Sequence, residues 1–113
     1  MSDSLRLLGK TVHVIVVRPL NSIHPDFNLV YPVNYGYVPN TVSDDGEEID
    51  AYILGVDEPI ERFTGKCIAL IQREGDEDKL VVCRDGLSFL EDEIRDLTFF
   101  QEQYFTSSIK LSR

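Results

Sequence analysis

Tyr31-Pro32-Val33-Asn34-Tyr35-Gly36-Tyr37-Val38-Pro39-Asn40 is the stretch on which the reading of this chain turns. It is dense in aromatic side chains, yet two prolines and a glycine punctuate it. A helix there is implausible, because proline removes an amide donor and glycine carries the largest backbone entropy cost. Irregular, extended chain is the expectation. Upstream, the valine-rich Val12 to Val17 places Val12, Val14 and Val16 on one face of a strand. Pro19, Asn21-Ser22 and His24-Pro25 end that strand and open a loop reaching about Tyr31, in which His24 reads as a packing residue.

Downstream, Ser43-Asp44-Asp45-Gly46-Glu47-Glu48 is a turn by composition, feeding a strand from Ile49 to Leu54 that Gly55 stops. Lys66 to Gln72 and Lys79 to Arg84 flank the turn-like Glu74-Gly75-Asp76 and predict a hairpin. Ser88 and Glu91 have capping-box spacing, which predicts a helix over Phe89 to Leu97. Thr98 and Gln101 repeat the spacing and predict a second short helix over Phe99 to Tyr104. Residues 1–10 and 107–113 read as loose ends. Several strands followed by helix only near the end argue for one domain over 1–113, mainly β with a C-terminal helix. An antiparallel barrel or sheet under a helical cap is expected, and not a βαβ sheet.

The 113 residues are 42% hydrophobic and 27% charged, the composition of one soluble globular domain. A net charge of -9 repels a polyanionic duplex, so nucleic acid is not an expected partner. No apolar run is long enough for a membrane span, and residues 1–10 lack the apolar region of a secretion signal. Cys67 and Cys83 each sit in a short apolar run, too far apart for a Cys-x-x-Cys motif, and read as reduced, buried thiols of a cytoplasmic protein. There is no phosphate-cradling glycine loop, His-Glu-x-x-His or Gly-x-Ser-x-Gly.

Chemistry concentrates between Asp44 and Asp50, where five of seven residues are acidic. Carboxylates this close repel one another, and magnesium relieves such repulsion while keeping positions for water or phosphate. Asp45, Glu47 and Asp50 are the candidates, although a cluster alone is more simply a solvated acidic turn. The spacing around Gly46 does not fit an EF-hand. Tyr31, Tyr35 and Tyr37 can donate to phosphate oxygens or pack in the core. Glu77, Asp78 and Lys79 alone read as an ordinary charged turn.

The order of these pieces resembles soluble family I inorganic pyrophosphatase, and in particular its short bacterial members. The likeness runs from about Val12 to Tyr104. It is carried by Tyr31-Pro-x-Asn-Tyr-Gly-Tyr-x-Pro39, Asp45-Gly46-Glu47-Glu48-Ile49-Asp50, Glu77-x-Lys79-Leu80-Val81 and Phe99-Phe100-Gln101-Glu102-Gln103-Tyr104. The resemblance implies an OB-like closed β-barrel, several magnesium ions (manganese as a substitute) and hydrolysis of pyrophosphate, or another small diphosphate, to phosphate. It implies Asp45, Asp50 and Glu77 as metal ligands and Glu47 as the group that takes a proton from the attacking water. Tyr35, Lys79 and Tyr104 would contact phosphate, with Arg18 as the candidate substrate-binding arginine. Tyr35 and Lys79 thereby join Glu47 in the catalytic set. A cytoplasmic homo-oligomer is the expected state.

The chain departs from the family pattern at Gln72, where a carboxylate is expected, and at Phe105, where a lysine is expected. In the first strand, His13 and Ile15 replace a lysine and a glutamate. It is also shorter than the usual member. These departures keep open a rival reading, a pyrophosphatase-fold module that binds a metabolite or protein without catalysis. A second rival, an OB-type nucleic-acid binder, needs a basic groove that this acidic chain does not offer.

Overall fold

Alternation of side chains decides which face each strand buries, and the chain wraps these faces into a closed sheet. The computed structural model describes residues 2–112. Its elements are α1 (Ser4–Leu7), β1 (Thr11–Arg18), β2 (Asn34–Val38), β3 (Ile49–Ile53), β4 (Arg62–Arg73), β5 (Lys79–Cys83), α2 (Glu91–Glu102) and β6 (Ser107–Leu111). β1 runs antiparallel to β2, with Val16 opposite Gly36. β2 runs antiparallel to β3, and β3 parallel to β5. β5 is antiparallel to β4, whose first half returns to β1 and closes the barrel, with Val14 opposite Phe63. The second half of β4 takes β6 as a further neighbour, with Ile71 opposite Ile109.

Val14, Val38, Ile49, Ala51, Ile53, Leu70, Leu80 and Val82 fill the inside of the barrel. The intervening residues Tyr35, Tyr52, Ile71 and Val81 face outward and are covered by Ile94 of α2. β5 is therefore buried on both faces, which is why its sequence is a continuous apolar run rather than an alternating one. Gly36 sits where β2 crosses β1, and a Cβ there would lie 1.9 Å from the Ile15 carbonyl oxygen.

The expected barrel under a C-terminal helix is present, with corrections to its parts. The sheet is not wholly antiparallel, because a barrel closed by β1, β2, β3, β5 and β4 has an odd number of strands, and strict alternation of direction cannot close it. Residues 34–38 form a regular strand rather than irregular chain, since Pro32 and Pro39 flank β2 and cost it no ladder bond. The two expected helices are one, α2. Thr98 Oγ1 donates to the Ile94 carbonyl inside the helix (2.8 Å) instead of capping a new one. The start is set by Leu90 and Glu93, whose carboxylate accepts the Leu90 amide at 2.7 Å, rather than by Ser88 and Glu91.

Neither end is loose within the described residues. Leu7 of α1 is buried, and the Gly9 amide donates to the Cys67 carbonyl at 2.8 Å. β6 pairs along the outer half of β4, which the barrel leaves as an open edge. Residues 1 and 113, the extremes of the two expected loose ends, lie outside the described residues. Cys67 and Cys83 are buried and unbridged, as expected. Among the described residues no helix is long and apolar enough to cross a membrane.

Candidate functional site

The outward faces of β2, β3 and β4, the loop after β1 and the end of α2 enclose a cleft of about 760 Å³. Arg18, Tyr31, Tyr35, Asp50, Arg73 and Gln101 are among its polar lining, and Val17, Phe27, Leu29 and Phe105 among its apolar lining. Tyr104 and His24 complete the wall. A bulge between Val16 and Arg18 breaks the alternation of β1, so that Val17 and Arg18 both reach this cleft.

Asp50 on β3 is the junction of the site. Its Oδ2 accepts the Tyr35 hydroxyl at 2.9 Å and the Lys79 ammonium at 3.0 Å. Both donors use the same oxygen, so neither engages Oδ1. Tyr35 and Asp50 lie two residues off register on neighbouring strands β2 and β3, and so on the same face, and Lys79 opens the parallel strand β5. The Lys79 side chain is 10% exposed and that of Asp50 37%, so the ammonium is nearly enclosed while the carboxylate still meets solvent. Burial, reinforced by the Asp50 charge, drives the Tyr35 phenol well above its ordinary range. Burial also raises the Tyr31 phenol. Both stay protonated donors at neutral pH.

A second network backs the cleft from α2. Arg73 forms a two-point pair with Glu102, at 3.0 Å through Nε and 2.6 Å through Nη2, and a third bond to Asp76 at 3.0 Å. Its guanidinium lies 3.7 Å from the centre of the Phe105 ring. Glu102 also accepts the Tyr52 hydroxyl at 2.6 Å, and Gln101 links the Tyr52 and Tyr31 hydroxyls at 2.8 and 2.9 Å. Burial of Tyr52 and the Glu102 charge push that phenol far up.

The acidic loop stands apart from the cleft lining. Ser43 Oγ donates to Asp45 Oδ1, which also accepts the Glu47 amide at 2.9 Å, and these bonds lower the Asp45 carboxyl below the usual range. The Asp45 amide donates to Glu77 Oε1 at 3.2 Å, tying this loop to the β4–β5 turn. Glu47 is exposed. Among the described residues no three His, Cys, Asp or Glu side chains come together to hold a metal ion. Asp45, Asp50 and Glu77, the expected ligand trio, are thus not assembled as one three-carboxylate centre, because Asp50 turns to Lys79 and Tyr35 while Glu77 takes the Asp45 amide. The donor chemistry does fit a magnesium ion that arrives with a diphosphate, since such an ion needs only one or two carboxylates besides water and phosphate oxygens. Asp50, whose Oδ1 takes neither the Tyr35 nor the Lys79 bond, is the cleft carboxylate that would hold it.

Of the expected site residues, the cleft gathers Arg18, Tyr35, Asp50 and Tyr104, with Lys79 behind Asp50; Asp45, Glu47 and Glu77 lie on the adjoining loop and turn. Arg73, Gln101 and Phe27 were not anticipated. Arg73 could have been found from strand parity, since it shares a face with Ile71, whereas Gln72 takes the opposite face. His13 is also outside the site: its Nδ1 pairs with Thr64 Oγ1 at 2.8 Å on the β1–β4 surface. His24 packs on Phe27 within its own loop, ring centres 4.7 Å apart, and also lines the cleft.

A family model described as inorganic pyrophosphatase matches residues 10–110. An inorganic pyrophosphatase of Nostoc sp. is 49% identical over 39 residues, which are 34% of this chain and 21% of that protein. One from Rhodospirillum rubrum is 56% identical over 25 residues, 22% of this chain and 14% of that protein. These matched segments span less than a quarter of either relative. Among solved structures, an inorganic pyrophosphatase from Ehrlichia chaffeensis superposes with a TM-score of 0.73 at 16% identity, covering 93% of this chain and 88% of that one. One from Helicobacter pylori gives 0.65 at 18% identity, covering 89% and 84%. At such identities the superpositions establish a shared fold.

Proposed function

The chain belongs to the inorganic pyrophosphatase family, and from that premise we propose that it hydrolyses a magnesium-bound diphosphate in the cleft over Asp50. The observation that carries this reading is the Tyr35–Asp50–Lys79 junction opening into a cleft whose wall holds Arg18 and Tyr104. Magnesium, when bound with the substrate, supplies Lewis-acid charge and lowers the pKa of its water. The remaining work falls to the chain. Arg18 offers a planar fork of donors suited to a phosphate group. Lys79 holds Asp50 in one orientation, and Tyr35 fixes the same oxygen from the other side. Tyr104 closes the wall toward the phosphates. Glu47, exposed on the adjoining loop, accepts the proton released when water adds to phosphorus. Its exposure leaves it free to pass that proton on to solvent.

Phosphate release from inorganic diphosphate, with and without magnesium, tests the reading. Lys79→Met should remain folded and lose about tenfold or more in kcat/KM, because a charge-assisted hydrogen bond is worth about 1.5–3 kcal/mol. Full turnover in a folded Lys79→Met protein would remove the junction from the mechanism.

A second reading has one specific observation in its favour. The cleft's Arg73 is bound by Glu102 and Asp76, so its charge is already answered before any ligand arrives. Calorimetric binding of a diphosphate without cleavage would favour a binding module over the hydrolase. A cytoplasmic setting is part of the proposal, supported by two buried, unbridged thiols.

A further inference from the structure

We infer that the diphosphate taken by this cleft carries an aromatic base, so that a nucleoside diphosphate, and not inorganic diphosphate alone, is the substrate class. The inference rests on the hydrolase reading above and specifies its substrate.

Inorganic diphosphate is small and polar throughout, whereas the cleft, at about 760 Å³, has the size of pockets that enclose whole cofactors and drug-sized ligands. Much of its wall is ring and hydrocarbon: Phe27, Leu29, Tyr104, Phe105 and Val17. A bare phosphate pressed against Phe27, Leu29, Phe105 or Val17 loses hydration and gains no hydrogen bond in return. Phe27 and Tyr104 are 73% and 70% exposed. A single exposed aromatic side chain is unremarkable. Here both border one concavity that also contains Arg18, which is how a ligand groove differs from scattered surface apolarity.

Phe27 is presented deliberately by the backbone. The loop after β1 folds back on itself through a bridge between Ile23 and Val30, and the His24 amide donates to the Leu29 carbonyl at 2.8 Å. Asn28 turns the tip with a φ of 54°, a conformation asparagine tolerates better than most residues. The His24 imidazole lies against the Phe27 ring and supports one side of it. A flat heterocycle stacks on such a ring, and stacking of this kind accepts any base because every base has a π-face. An aliphatic tail would be served better by leucine and isoleucine walls than by rings at a wet entrance. Arg73 is committed to Glu102 and Asp76, which leaves Arg18, beside Tyr31, as the cleft arginine available to phosphate.

The base then lies at the mouth and the terminal phosphate toward Asp50. In the reaction, the water oxygen forms a bond to the terminal phosphorus. The bridging oxygen leaves with the electron pair of the broken P–O bond as part of a nucleoside monophosphate. One water proton is released and the other stays on the phosphate product.

The test measures kcat/KM and equilibrium binding for ADP, inorganic diphosphate and geranyl diphosphate at fixed magnesium, in wild type, Phe27→Ala and Phe27→Leu. Phe27 is exposed, so both variants retain the fold. Expected are ADP cleavage by wild type and a fall of about tenfold in the ADP-to-diphosphate ratio of kcat/KM in both variants, leucine failing because it lacks a ring. Cleavage of inorganic diphosphate with no binding or cleavage of ADP overturns the inference and leaves the hydrolase reading standing. ADP bound through Phe27 with neither diphosphate cleaved overturns the hydrolase and keeps the ligand class. Preference for geranyl diphosphate, or a ratio that Phe27→Ala does not move, overturns the aromatic base. No binding of any of the three overturns both.

Discussion

Arg73 has a side chain only 5% exposed, and its partner Glu102 is 7% exposed, so this pair is held almost out of water beside the cleft. Such pairs gain little over apolar replacements, yet breaking one is costly because the survivor is left buried and unpaired. Arg73→Met should strand Glu102, whose remaining partner is the Tyr52 hydroxyl, whereas Glu102→Gln leaves Arg73 its more exposed pair with Asp76. Arg73→Met is expected to lower stability by about 3–5 kcal/mol, and Glu102→Gln by less. The double variant should cost clearly less than the sum, since neither charge is then left alone. Denaturant unfolding of the four proteins measures this coupling, and strict additivity would mean that water already screens the pair. The geometry also changes what Phe105 means. It stands where the family pattern has a lysine, and its ring lies under Arg73, on the face of β4 opposite Gln72. The cation near that end of the cleft is thus supplied from β4, and Gln72 and Phe105 are not two halves of one lost contact.

At the level of elements, what could be read from sequence is what strand parity and turn chemistry control. The valines of β1, the acidic turn before β3 and the hairpin of β4 and β5 were legible because each is a local pattern. Tyr35, Asp50 and Lys79 are singled out by their motifs, and the fold brings the three side chains together. Gln101 was not legible, because its place depends on where α2 lands on the outer face of the barrel, a contact no local window contains; Arg73 was missed although strand parity puts it on the outward face with Ile71. β6 was missed for a related reason: Ser107–Leu111 is half exposed and gains its structure only from the open edge of β4. The Asn34-Tyr35-Gly36 block was misread as irregular, although its glycine is the most demanding position in the sheet. Gly36→Ala would place a methyl group 1.9 Å from the Ile15 carbonyl oxygen and 2.8 Å from the Val16 Cα. Both are backbone atoms of a paired strand and cannot rotate away. A loss of about 2–3 kcal/mol in denaturant unfolding is expected. A loss below about 0.5 kcal/mol would show that β1 can slide at its bulge to make room.

Over the whole molecule, a net charge of -9 is confined to a body whose extents are 32 × 32 × 28 Å. At an ionic strength of about 0.01 M the Debye length is about 30 Å, so nearly every charge feels every other; at about 0.15 M it falls to about 8 Å and only neighbours interact. Self-repulsion of the acidic excess therefore opposes compactness at low salt and fades as salt is added. The opposing loss, weakening of ion pairs by the same salt, is small here. The Arg73–Glu102 pair is shielded by burial, and exposed pairs such as Arg95 with Glu91 at 3.1 Å contribute little. Repulsion should win. Raising sodium chloride from about 0.01 to 0.15 M is expected to raise Tm by about 4 °C, the shift that corresponds to about 1 kcal/mol in a domain of this size. Glu48→Lys, at an exposed position in the acidic turn, should raise Tm at low salt and flatten its dependence on salt. A Tm that falls with salt would mean instead that ion pairs at the surface, and not the net charge, govern the electrostatic part of stability.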